Sequence, residues 1–206
     1  MERSYNNSIF INCPFDDSFR EILYAIIYTV YHCGFVPRSS LEEDNALNNR
    51  LSKIENLIAE CRFGIHDLSR TEYNNNALPR FNMPFELGIF FGAKKFGDEK
   101  QKSKIALVLE REKYLYQQFI SDLNGIDTKA HNNDVGKAIK IVRDWLKSSS
   151  GRKTINGHII IIQDYNVFIK ELLSDMVIQK GIDINDITFT DYCLMVEETL
   201  SLNMGN

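Results

Sequence analysis

The chain has 206 residues, 44% hydrophobic and 25% charged, which is enough apolar material for the core of one ordinary globular domain. Its net charge of −4 gives no basic footprint for a nucleic-acid partner, and no apolar run approaches a membrane span. The four cysteines, Cys13, Cys33, Cys61 and Cys193, form no C-x-x-C pair and no zinc-ligand spacing with histidine, and residues 1–8 hold no signal-peptide pattern; a cytoplasmic protein with reduced, buried thiols and no metal is expected.

Ile9 to Cys13 is a short apolar run halted by Pro14, and it reads as a buried strand, with Asp16 and Asp17 as caps for the helix that follows. Apolar residues at Phe19, Ile22, Leu23, Ile26, Ile27 and Val30 predict that helix over 18–33, stopped by Gly34. Phe35 and Val36 open a second strand leading into Pro37, Arg38 and Ser39. Leu47, Leu51, Ile54 and Ile58 predict a helix over 45–61, and Phe63 to Asp67 a third strand. A polar loop through Asn74, Asn75 and Asn76 leads to a helix over 84–96. Lys104 to Leu109 is the clearest strand. A helical piece over 114–123 and a weak strand over 126–130 come next, followed by a strongly amphipathic helix over 134–147.

Residues 148–153, Ser-Ser-Ser-Gly-Arg-Lys, read as a linker. Two further helical stretches follow, over 156–180 and 188–202. The run of isoleucines at 159–162 favours a strand by local propensity, but the apolar spacing continues through Tyr165, Phe168 and Leu172, as a helix requires. The alternation predicts an α/β fold: a flavodoxin-like open parallel sheet of four to five strands with helices on both faces, over 1–147. Residues 148–206 are then a linker and a C-terminal helical extension, expected to offer a surface for a homo-oligomer or an activating protein partner.

Open parallel sheets bind ligands beyond the carboxyl ends of their strands. Asn12, Phe15 and Asp16 follow the first strand, Arg38 the second, and Asp67, Ser69 and Arg70 the third, while Arg80 and Asn82 lie in the next loop. Glu86 stands at the start of the following helix. With Pro84 as the first helical residue, Glu86 falls at the third position, where a glutamate reaches back to cap the helix. Asp67 similarly reads as a turn residue and His66 as a satisfied strand histidine. Gly88 and Gly92 suggest close packing of this helix on the sheet. The sequence has no G-x-G-x-x-G, no Walker lysine and no G-x-S-x-G.

The stretch from Ile9 to Asp17 resembles the opening strand and loop of TIR domains and nucleoside 2-deoxyribosyltransferases. Phe85-Glu-Leu-Gly88, followed by Ile-Phe-Phe-Gly-Ala93, is similar to the segment that carries the deoxyribosyltransferase active-site glutamate. The likeness covers about 8–147. It departs from the deoxyribosyltransferase pattern in having Arg80 and Asn82 where a second Asp often stands, and from TIR domains in having Asn12-Cys13-Pro14 for Ser-Tyr; it resembles a TIR-like branch of its own, of the kind associated with prokaryotic defence. The resemblance implies N-glycosidic cleavage with Glu86 as the catalytic carboxylate, and a nucleotide such as NAD as substrate, hydrolysed or cyclised, with no cofactor. Asp67 would hold ribose hydroxyls, and Arg38 and Arg70 phosphates. Two alternatives remain: a deoxyribosyltransferase-like N-glycosidase, and a non-catalytic nucleotide-sensing or assembly module in which Glu86 is only a cap.

Overall fold

Five parallel strands form one sheet in the order β2-β1-β3-β4-β5 in the computed structural model, which describes residues 3–43, 45, 47, 49–70 and 80–203. They are β1 (Ser8–Asn12), β2 (Val36–Arg38), β3 (Phe63–Asp67), β4 (Ile105–Glu110) and β5 (Lys129–Ala130). All five residues of β1 and of β3 are buried. Sheets covered on both faces have continuous apolar strands, which is why these two read as unbroken runs. Register pairs Phe10 with Gly64 and Asn12 with His66.

Helix α1 (Arg20–His32) crosses from β1 to β2, and Gly34, at φ +81°, ends it with its amide donating to Tyr31 O. Helices α2 (Arg50–Glu60) and α3 (Asn82–Phe96) cover the opposite face. A short α4 (Glu99–Lys102) leads into β4, and α5 (Val135–Ser150) returns to the α1 side. The expected linker is therefore shorter than its composition suggests. The three serines continue α5, and the break comes at Gly151, whose φ of +69° is the left-handed conformation that glycine adopts at no steric cost.

The C-terminal extension folds as α6 (His158–Val167), a wider π turn (Phe168–Leu172), α7 (Leu173–Lys180) and α8 (Phe189–Asn203). It packs on the outer side of α1. Tyr24 and Tyr192 stack with ring centroids 3.8 Å apart, Tyr192 donates to Tyr24 O at 3.1 Å, and Tyr28 meets Tyr165 and Phe168. One apolar core thus runs from Ile11 and Ile65 in the sheet through Ile26 and Val142 to Phe168, Tyr192 and Val196. Within the described residues, no helix is long and apolar enough to cross a membrane.

Candidate functional site at the carboxyl edge

Strand order reverses between β1 and β3, and the crevice beyond their carboxyl ends is where such sheets bind ligands. Asn12 ends β1 there. Its buried side-chain amide donates to Met83 O in the first turn of α3 at 2.9 Å and to His66 Nδ1 at 3.0 Å. An acceptor Nδ1 leaves the proton of neutral His66 on Nε2. Burial, reinforced by the charge of Lys104, lowers the His66 pKa to about 3, so the ring stays neutral. Gly64 makes room for it: a Cβ there would lie 2.6 Å from His66 Nε2 and 2.9 Å from the Phe90 ring. His66 is thus a structural strand residue that holds Asn12, and Asn12 holds α3.

Met83 and Glu86 are three apart and share a helical face. The helix begins at Asn82, so Glu86 is its fifth residue and lies beyond the amides that need capping. The capping role expected from Pro84 at the first position is therefore corrected. No side-chain cap closes this helix, and Glu86 accepts no hydrogen bond among the described residues. The residue is 6% exposed. Burial raises its carboxyl from the ordinary 4.5 to about 7, with Arg50 opposing the rise. The Cys13 thiol lies among Asp67, Glu86 and Asp16: burial first, then these three carboxylates, push it well above the usual thiol range.

Asp16 was expected to cap α1, but its carboxylate turns across the crevice mouth. Arg70 grips it with Nη2 at 3.1 Å and Nε at 3.2 Å, Ser18 donates to it at 2.6 Å, and Arg80 Nη1 stands 3.5 Å away. The Arg70 hydrogen bond, helped by Ser18, holds Asp16 down to about 2. Phe15, Phe81 and Phe85 are exposed on the same edge, and Asn82 is exposed at the start of α3. The stretch through Asn74, Asn75 and Asn76 lies outside the described residues.

Three expectations change. Arg38 is not turned to the crevice: its Nε meets both oxygens of Glu42 at 3.0 and 2.9 Å and its Nη1 meets Glu60 at 3.0 Å, so two carboxylates already occupy the guanidinium. Asp67 is fully buried, accepting from Ser69 N at 2.9 Å and pairing with His131 Nε2 at 3.1 Å, so it cannot reach ribose hydroxyls. Ser69 Oγ also lies 3.1 Å from His131 Nε2. This Asp, His and Ser do not make a nucleophilic relay, which needs the acid and the serine on opposite ring nitrogens. Here Asn133 N donates to Nδ1 at 3.0 Å, and both Asp67 and Ser69 share Nε2. The cluster is a buried brace tying β3 to the segment after β5. The third change concerns Gly88 and Gly92, where a Cβ would meet open space; they are not packed on the sheet.

Sequence reasoning missed His131 and Arg50. His131 stands in a polar segment without periodicity, and only the β4–β5 pairing brings it to Asp67. Arg50 looked like a mid-helix residue, but α2 starts there because the Asn49 side chain caps it, accepting from Leu51 N at 2.8 Å. Four grooves elsewhere are lined without Glu86; one of about 480 Å³ lies beside β4, between Phe91, Ile126 and Trp145. Comparisons with protein-family models, curated proteins and solved structures found no match.

Proposed function

We propose that the protein cleaves the N-glycosidic bond of a nucleotide, with Glu86 as the carboxylate facing the ribosyl C1′ and NAD as the first substrate to test. The observation that carries this reading is a buried carboxylate at the sheet's carboxyl edge, beside the switch point, with no hydrogen bond among the described residues. As the base departs, positive charge develops at C1′, and a desolvated carboxylate stabilises it more strongly than one in water. A carboxyl raised to about 7 is only partly ionised at neutral pH. A cationic base such as nicotinamide would favour its ionised form, whereas a neutral nucleoside would not. That difference supports NAD over the deoxyribosyltransferase-type substrate. Phe15, Phe81 and Phe85 are exposed aromatics suited to stacking on a base, and Arg80, half exposed, is suited to a phosphate. A setting in defence or signalling follows only from the TIR-like resemblance.

The test incubates wild type and Glu86→Gln with NAD and a nucleotide panel and measures released base by chromatography. The expected result is nicotinamide release that falls by about 100-fold or more in the variant. Release that survives the substitution removes Glu86 from the chemistry. Saturable NAD binding without turnover would favour the non-catalytic alternative.

A further inference from the structure

The opposite pole of the molecule carries a second polar cavity. It measures about 470 Å³ and lies between the C-terminal end of α1 and the extension, with His32, Cys33 and Gly34 on one side and Arg152, Asn156 and Asp164 among the residues on the other. Because α1 runs back across the sheet, this end lies at the strands' amino edge, away from Glu86.

Arg152 is oriented before any ligand arrives. Its guanidinium stacks on Phe35 at 3.9 Å, and Nη1 donates to Gly34 O and, at 3.3 Å, to Cys33 O. Those contacts use one nitrogen. Nε and Nη2 have no hydrogen-bond partner among the described residues and are not sealed from solvent, so this residue of the cavity lining keeps free the edge of the guanidinium that grips oxyanions in a bidentate fork. Asp164 provides the opposite charge. Its Oδ2 lies 3.0 Å from His32 Nε2, which fixes the carboxylate against α1, and its side chain remains 42% exposed. The Cys33 thiol is pushed by burial up to about 12 and is no nucleophile.

A simple anion would meet Arg152 favourably but Asp164 unfavourably, and a simple cation the reverse. A molecule with an oxyanion at one end and an ammonium at the other satisfies both, and the cavity volume falls in the range of small-molecule sites. We infer that this cavity binds a small zwitterion of the amino-acid type, its carboxylate on the free fork of Arg152 and its ammonium on Asp164. Since α1 supplies one wall and the extension the other, the bound molecule fastens the extension to the α/β unit and stabilises the whole chain.

The experiment titrates the full chain with the free amino acids singly, and with inorganic phosphate and acetate as single-charge controls, following the thermal unfolding midpoint and the Arg Nε–H resonances. At least one amino acid should raise the midpoint saturably at millimolar concentration or below and shift a single Arg Nε–H, with both controls weaker. Arg152→Lys, which keeps the charge and loses the fork, and Asp164→Asn should each weaken binding tenfold or more. Glu86→Gln should bind as wild type does, which separates this site from the one at the carboxyl edge. No saturable amino acid, controls that bind as tightly, or Asp164→Asn binding like wild type would each overturn the inference. The Asp164 variant decides alone where Arg152→Lys does not fold.

Discussion

Burial with no hydrogen-bond partner among the described residues separates Glu86 from Asp16 and Asp67, the other acidic side chains described at the crevice. Asp16 is ion-paired with Arg70, and Asp67 accepts hydrogen bonds from His131 and a backbone amide, whereas Glu86 is shielded from water with the charge of Arg50 favouring ionisation. The consequence for stability has a definite sign. Between pH 4.5 and about 7 the folded chain keeps a proton that the unfolded chain has released, so stability falls as pH rises through that window and levels off above it. The total is about 3 kcal/mol. Glu86→Gln removes the slope, so urea midpoints of the two proteins should be close at the low end of the window and favour the variant above its upper end. The same titration governs turnover in the proposed reaction. A carboxylate that stabilises positive charge must be ionised, so kcat/KM should climb with pH to a plateau above about 7; a profile that falls over this range would mark a general acid. Asn12 provides a third residue-scale check. Asn12→Ala leaves Met83 O and His66 without their donor, at a cost of about 1–2 kcal/mol in denaturant unfolding, with reduced turnover if α3 shifts.

Helix α3 is the element on which the candidate site depends, and its outer face carries no structural load. At Gly88 and Gly92 an added methyl group meets open space, so Gly88→Ala and Gly92→Ala should each stabilise the protein by about 1 kcal/mol through helix propensity alone, measured by thermal or urea unfolding. Destabilisation at either position would mean that something packs there. The same helix shows where sequence reading succeeds and where it stops. Its existence follows from apolar spacing, as do α1 and α5, because burial of one helix face imposes a period, whereas the buried strands β1, β3 and β4 were legible as short continuous apolar runs. Its start depends on local competition at the terminus, and a shift of two residues changed Glu86 from a cap to a buried side chain. At α2 the apolar stripe included Leu47, yet that residue is 94% exposed and precedes the Asn49 cap. The expected helix over 114–123 is instead two short 3-10 turns, Leu115–Gln118 and Ser121–Leu123, separated by Phe119 and Ile120. Within the site, the polar residues at strand ends were legible because topology sends every parallel strand end to one edge. Their partners, such as Glu42 for Arg38 and His131 for Asp67, were not, because those pairings depend on chain segments far apart or without a pattern.

Over the whole molecule, the extension is a layer of the core, since α1 has the sheet on one side and α6 and α8 on the other. A chain ended at residue 151 would leave Tyr24, Tyr28 and their apolar neighbours facing water. Such a truncation should lose cooperative unfolding or precipitate, as circular dichroism and sedimentation would show; a soluble fragment with a sharp transition would establish that 1–151 folds by itself. The stack of Tyr24 on Tyr192 joins residues separated by 168 positions. During synthesis, the outer side of α1 therefore emerges from the ribosome long before the helix that covers it. A nascent chain of this protein must carry an uncovered aromatic surface until residues 189–203 have emerged, which makes it a natural client for a holding chaperone and makes translation stalled before that helix an aggregation-prone state.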